Sequence, residues 1–113
     1  MENKKQEIGV KYDDGKTRYD LVEWRFVEGI GDILTLGAKK YAPDNWKKVP
    51  DFKRRYIAAF FRHMISWVKG DRVDSESGKS HLLHAACCLM FLYWNELEDN
   101  NLQESTQEVI DKE

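Results

Sequence analysis

The chain has 113 residues, 42% apolar and 34% charged, with five Phe, five Tyr and four Trp, which is material for one packed core and too little for two. Its formal charge is -2, but from Glu96 onward seven acidic residues face Lys112 alone, so the tail carries -6 and the body +4. A mildly basic body suits a small phosphorylated ligand and lacks the dense basic stripe of a duplex reader, so nucleic acid is excluded as the leading partner. No signal-peptide order is visible at the N-terminus, and the longest apolar run, Ala85 to Trp94, is too short to span a bilayer. The expected location is the cytoplasm, with no membrane partner. Cys87 and Cys88 are adjacent in that apolar run and read as two buried thiols rather than a strained bridge.

Residues 1 to 10 are polar and expected to fray, and Asp14-Gly15 marks a turn. Asp20 with Glu23 has the form of a capping box, and Leu21, Trp24, Val27, Ile30, Leu34, Ala38 and Tyr41 recur at helical spacing, predicting a first helix over 21–41. Its glycines permit a close helix approach or a break near Gly37, and Pro43 ends it. Asp51 is placed to cap a second helix from Phe52 to about Lys69, stopped by Gly70. Ser80 caps a third from His81 to about Asp99, and residues 100–113 form either a weak fourth helix or a disordered acidic tail. No strand-period alternation appears.

The expected fold is therefore all-α, a compact bundle of three to four helices, with 1–99 as one helical domain and 100–113 as an acidic C-terminal tail. The second and third helices are apolar nearly all round over their middles, which a lone domain of this size cannot conceal, so a homo-oligomer sharing its core is expected.

Polar residues interrupt these apolar stretches at Arg62-His63, Asp71, Asp74, Gly78, His81 and His84, bringing all three histidines onto one helix-loop-helix unit. His81 and His84 are three apart and share a helix face. With His63 from the neighbouring helix and a carboxylate they match a borderline metal site, or, at a helix N-terminus, a phosphate site needing no metal. A third reading has the histidines satisfying one another in the core. Glu28 and Asp32, four apart on the first helix, are spaced to share a divalent cation, and Lys39 and Lys40 at its end are spaced to meet phosphate oxygens.

The order Asp13-Asp14-Gly15-Lys16-x-Arg18-Tyr19-Asp20-Leu21, Glu28, Leu36-Gly37-Ala38-Lys39-Lys40-Tyr41, Asn45-Trp46, Arg62-His63, Gly70, Asp74, Gly78, His81-Leu82-x-His84-Ala85 resembles the phage family described as dATP/dGTP diphosphohydrolase, N-terminal domain, over roughly 11–98. The resemblance implies hydrolysis of a purine deoxynucleoside triphosphate to monophosphate and pyrophosphate in the host cytoplasm, as in helical MazG-like pyrophosphohydrolases. Their paired Glu-x-x-Glu and Glu-x-x-Asp motifs are missing; Glu28 with Asp32 is a partial substitute. Cys88 stands where the family often carries Asn.

In the enzyme that the resemblance implies, Mg²⁺ held by Glu28, Asp32 and Asp74 assists attack of water on the α-phosphorus, with His63 or His84 as general base. Lys16, Arg18, Lys39, Lys40, Arg62 and His81 bind the phosphates, while Tyr41, Asn45 and Trp46 recognise the base. Trp46 has the competing reading of a loop anchor packed on the core. The rival function is a non-catalytic nucleotide-binding protein that sequesters a nucleotide or defence signal, using the same cations and aromatics without metal carboxylates.

Overall fold

The computed structural model describes residues 7–112, with side chains described for all but 102–109 and 112. Most of the segment expected to fray, residues 1–6, and the tail side chains of Leu102 and Val109 lie outside the described set. Three helices make up the described chain, α1 over Trp24–Lys40, α2 over Phe52–Val68 and α3 over His81–Lys112. Among the described residues no strand forms; one isolated antiparallel bridge joins Val73 to Ser80. The fold is all-α, as the periodicity predicts, and no described helix is long and apolar enough to cross a membrane.

The start of α1 differs from expectation. Residues Tyr19–Leu21 form a single 3-10 turn, and α1 begins at Trp24 with no side-chain cap at Glu23. The capping box fails because its acids are engaged sideways: Asp20 accepts a 2.7 Å hydrogen bond from Arg18, and Glu23 binds Arg25. The helix then runs through Gly37 without a break. Gly29 is where glycine matters, since a Cβ there would sit 2.4 Å from Leu83 Cδ1 of α3.

Asp51 does precede α2, but with a left-handed backbone (φ 56°) and no capping bond; its carboxylate pairs with Arg54 instead. The other end behaves as read. Gly70, at φ 98°, donates its N–H to Trp67 O while the N–H of Asp71 reaches Ser66 O, both 3.0 Å, closing the carbonyl end of α2 in a Schellman motif. Ser80 caps α3 through a 3.1 Å bond from the Leu82 N–H to its Oγ.

The third helix overruns its expected end near Asp99 and continues through the tail to Lys112. Neither Gly nor Pro occurs between His81 and Lys112, so no backbone signal stops it; acidic composition alone does not break a helix.

The core sits where α3 packs on α2 and, more lightly, on α1. Its buried apolar side chains are Ala85, Cys87, Cys88 and Phe91. Phe91 stacks on Trp46 at 4.3 Å, and Trp94, Phe52 and Tyr56 surround the pair, so the loop after α1 is pinned to the core by Trp46. Burial of Phe91 contributes about 2–3 kcal/mol. A Lys53 to Asp99 ion pair of 3.3 Å continues the α2 to α3 contact outward. Outside this seam, Ile57, Phe61, Ile65 and Val68 of α2 are 45–71% exposed in the single chain.

Both cysteines are free and buried. Burial pushes the Cys87 thiol up to about 12 and that of Cys88 to about 11. An acid whose folded pKa is raised keeps its proton when the unfolded chain has lost it, so the associated stability is complete below the ordinary thiol pKa and declines as pH rises above it. Melting temperature is expected to fall between pH 9 and 11, and to fall less steeply in Cys87→Ala; equal slopes by circular dichroism would contradict this burial.

Candidate functional site

His63 lies at the start of the fourth turn of α2, His81 opens α3 and His84 follows one turn later, so the α2 to α3 seam brings the three rings together. The Nδ1 atoms of His63 and His81 are 2.8 Å apart. The rings of His63 and His84 stack at 4.6 Å, 12° from parallel. His81 is buried, 7% exposed, and its Nε2 has no hydrogen-bond partner; Asp71 Oδ2 lies 3.5 Å away.

The loop between the helices supplies the acid. Its backbone is knotted by bonds from Asp74 N–H to Lys79 O and Gly78 N–H to Asp74 O, both 2.8 Å, and from His81 N–H to Arg72 O at 2.9 Å. Arg72 stacks its guanidinium 4.1 Å over the Trp67 ring, fixing the loop to α2. Asp74 Oδ2 accepts from the Ser77 N–H at 2.9 Å and from Ser77 Oγ at 3.0 Å. Ser77 Oγ is also 2.6 Å from His84 Nε2. A hydroxyl has one proton, so with that proton on Asp74 the order of donation is His84 to Ser77 to Asp74.

Burial, reinforced by repulsion from His84 and His81, pushes His63 down to about 4. Burial likewise lowers His84, against the opposing attraction of Asp74. Asp74 is itself raised by burial, but its bonds from Ser77 and the facing histidines outweigh this and hold it below the ordinary carboxylate value. At neutral pH His63 and His84 are thus neutral and Asp74 is ionised.

Two clefts open beside this cluster. The more polar one, about 420 Å³, is lined by Ile33, Leu36, Gly37 and Lys40 of α1, by His63 and His84, and by Asp74, Glu76 and Ser77. The second, about 500 Å³ and mostly apolar, is lined by Leu34, Ala38, Tyr41, Asn45, Trp46, Tyr56 and Phe91, among others, and shares Ile33 and Gly37 with the first.

The sequence-derived candidates distribute unevenly over this geometry. His63, His84, Asp74 and Lys40 line the polar cleft, with His81 buried in contact with His63. Tyr41, Asn45 and Trp46 line the apolar cleft together, although one face of Trp46 is occupied by Phe91, so the loop-anchor reading holds as well. Lys16 and Arg18 are elsewhere, in a hollow formed by 13–20 alone, and Arg18 is paired with Asp20. Lys39 and Arg62 are exposed and outside both cleft linings. Glu28 is exposed on α1 and Asp32 binds the Lys79 ammonium at 3.0 Å; neither joins Asp74 and the histidines. Ser77, the bridge between Asp74 and His84, carries no sequence signal, because a lone serine in a polar loop looks like any other.

Comparison with known proteins places the chain in a family. The family model described as dATP/dGTP diphosphohydrolase, N-terminal, matches residues 6–105. The chain belongs to this family. It is also 36% identical over 86 residues to a protein named dATP/dGTP diphosphohydrolase from Salmonella phage PMBT28, covering 76% of this chain and 29% of that protein. The chain thus spans under a third of that relative's length. No solved structure matches it significantly.

Replacing Ser77 with Ala removes the hydroxyl that joins His84 to Asp74 and is expected to cost about 1 kcal/mol. Urea unfolding measures this, and an unchanged midpoint would show that the bridge does not form in solution.

Proposed function

We propose that the chain binds a purine (deoxy)nucleoside triphosphate across the two clefts and hydrolyses it to monophosphate and pyrophosphate. The observation that carries this reading is the shared wall: an apolar, aromatic-lined cleft adjoins, through Ile33 and Gly37, a polar cleft with Lys40 and neutral imidazoles. The first suits a purine face, with Asn45 to meet its edge, and the second suits phosphates. The family's description and the phage relative's name both support nucleotide hydrolysis.

In this reaction water attacks the α-phosphorus, the bond to the bridging oxygen breaks and pyrophosphate departs. His84 takes the proton from water; its lowered pKa keeps it neutral at pH 7, and Ser77 and Asp74 hold its ring. Lys40, now paired with Glu76 at 2.6 Å, turns to the phosphates. A resident Mg²⁺ does not fit this cluster. Mg²⁺ demands oxygen ligands, whereas the grouped donors are two imidazoles and one carboxylate, and Asp32 is already committed to Lys79.

That scarcity of grouped carboxylates favours the second reading, a protein that holds a nucleotide unchanged. The two are separated by incubating the protein with each of the four dNTPs, with and without EDTA, and resolving products by anion exchange. Purine monophosphate plus pyrophosphate is expected, with His84→Ala slowing turnover by about 10²-fold or more while binding persists. Retention of unaltered nucleotide would establish sequestration; neither outcome would remove both readings.

We also propose that the working form is a homo-oligomer, because Ile57, Phe61, Ile65 and Val68 leave an apolar stripe on α2 uncovered. Light scattering is expected to give a multiple of the 13.3 kDa chain mass, reduced by Ile65→Lys. A wild-type monomer at micromolar concentration would refute it.

A further inference from the structure

We infer that His63, His81 and Asp74 form a binding site for one divalent first-row transition ion, of the zinc or cobalt kind, at the inner end of the polar cleft. This concerns the ion alone and stands or falls independently of any nucleotide chemistry. One ligand atom from each of the three residues lies within 4.8 Å of the others, which is the scale of a single coordination sphere.

The closest approach is the most specific. Two imidazole nitrogens bonded to one ion at about 2.0–2.1 Å stand about 2.9 Å apart on adjacent octahedral positions and about 3.3 Å apart on a tetrahedron. The observed His63 to His81 Nδ1 separation is 2.8 Å, so a slight opening of the rings admits the ion.

A second observation is independent of that distance. His81 is more than nine-tenths buried, and its Nε2 lacks a hydrogen bond while Asp71 Oδ2 stands 3.5 Å off. With His81 as the donor between the two Nδ1 atoms, this nitrogen carries no proton and is left orphaned, a costly arrangement. Coordination through Nδ1 instead fixes the remaining ring proton on Nε2, directed at the Asp71 carboxylate. Ligating histidines are commonly held through their other ring nitrogen in this way. Asp74 is prepared similarly: Ser77 occupies Oδ2 twice over, and no hydrogen bond is made to Oδ1 among the described residues.

The donor chemistry selects the ion. Two neutral imidazoles and one carboxylate suit zinc and its neighbours, whereas magnesium and calcium require oxygen-rich cages. The cysteines take no part; their burial keeps them protonated. Three protein ligands leave at least one coordination position open toward the cleft holding His84 and Lys40, which a water or phosphate oxygen would fill.

The test uses tag-free full-length protein stripped with chelator and dialysed. Titration with Co²⁺, read by visible absorption, and with Zn²⁺, read by calorimetry, is expected to give one ion per chain with a micromolar or tighter Kd. The cobalt spectrum should lack a thiolate charge-transfer band, and a thousandfold excess of Mg²⁺ should not displace the ion. His63→Gln and Asp74→Asn should each weaken binding by about tenfold or more, whereas His84→Gln should change it less than threefold. Absent saturable binding, equal affinity in His63→Gln and Asp74→Asn, a large loss in His84→Gln, or displacement by Mg²⁺ would each overturn this ligand set. Should the variants fail to fold, as judged by circular dichroism, histidine NMR of the wild type decides. Zn²⁺ must shift the imidazole signals of His63 and His81, and shifts absent there would overturn the site.

Discussion

The structure depends on how closely α2 approaches the first three turns of α3. Ala85, Cys87 and Cys88 of α3 are small, and all three are buried. Small side chains there let two backbones come near enough for His63, reaching across from α2, to place Nδ1 2.8 Å from that of His81. The cluster of imidazoles is thus a product of core packing. A bulkier residue at Ala85 would separate the helices and pull the rings apart without touching any polar group.

The connection between the helices is the second determinant. The Schellman end at Gly70 and the cap at Ser80 fix both ends of a ten-residue excursion whose own backbone bonds are internal, so Asp74 has little freedom relative to the rings. Ser77 then links that acid to His84 through one hydroxyl. A rigid loop on rigid helix ends is how a chain of this size positions a carboxylate without a sheet to hold it.

Much of this was legible in the sequence. The periodicity placed all three helices, and the convergence of His63, His81, His84 and Asp74 follows from their interrupting apolar helical faces around one loop. The errors share a cause: local signals were outvoted by neighbours. Asp20 and Glu23 spelled a capping box, but Arg18 and Arg25 took their carboxylates. Glu28 and Asp32 have cation-sharing spacing, yet Lys79, 47 residues away, claims Asp32. The tail looked polar enough to leave the helix, but composition cannot end a helix that lacks a breaker. Lys16 and Arg18 read as phosphate ligands because residue type was visible and distance was not.

The length of α3 has an electrostatic consequence. At 32 residues it extends about 48 Å, and its packed part ends near Trp94. Glu96 lies twelve residues beyond His84, about 18 Å along the axis, where the Debye length at physiological ionic strength is about 8 Å. Glu96 and Glu98 are therefore screened from the cleft. The helix works as a spacer: its length keeps these carboxylates from cancelling the positive charge that an approaching anion meets at the cleft.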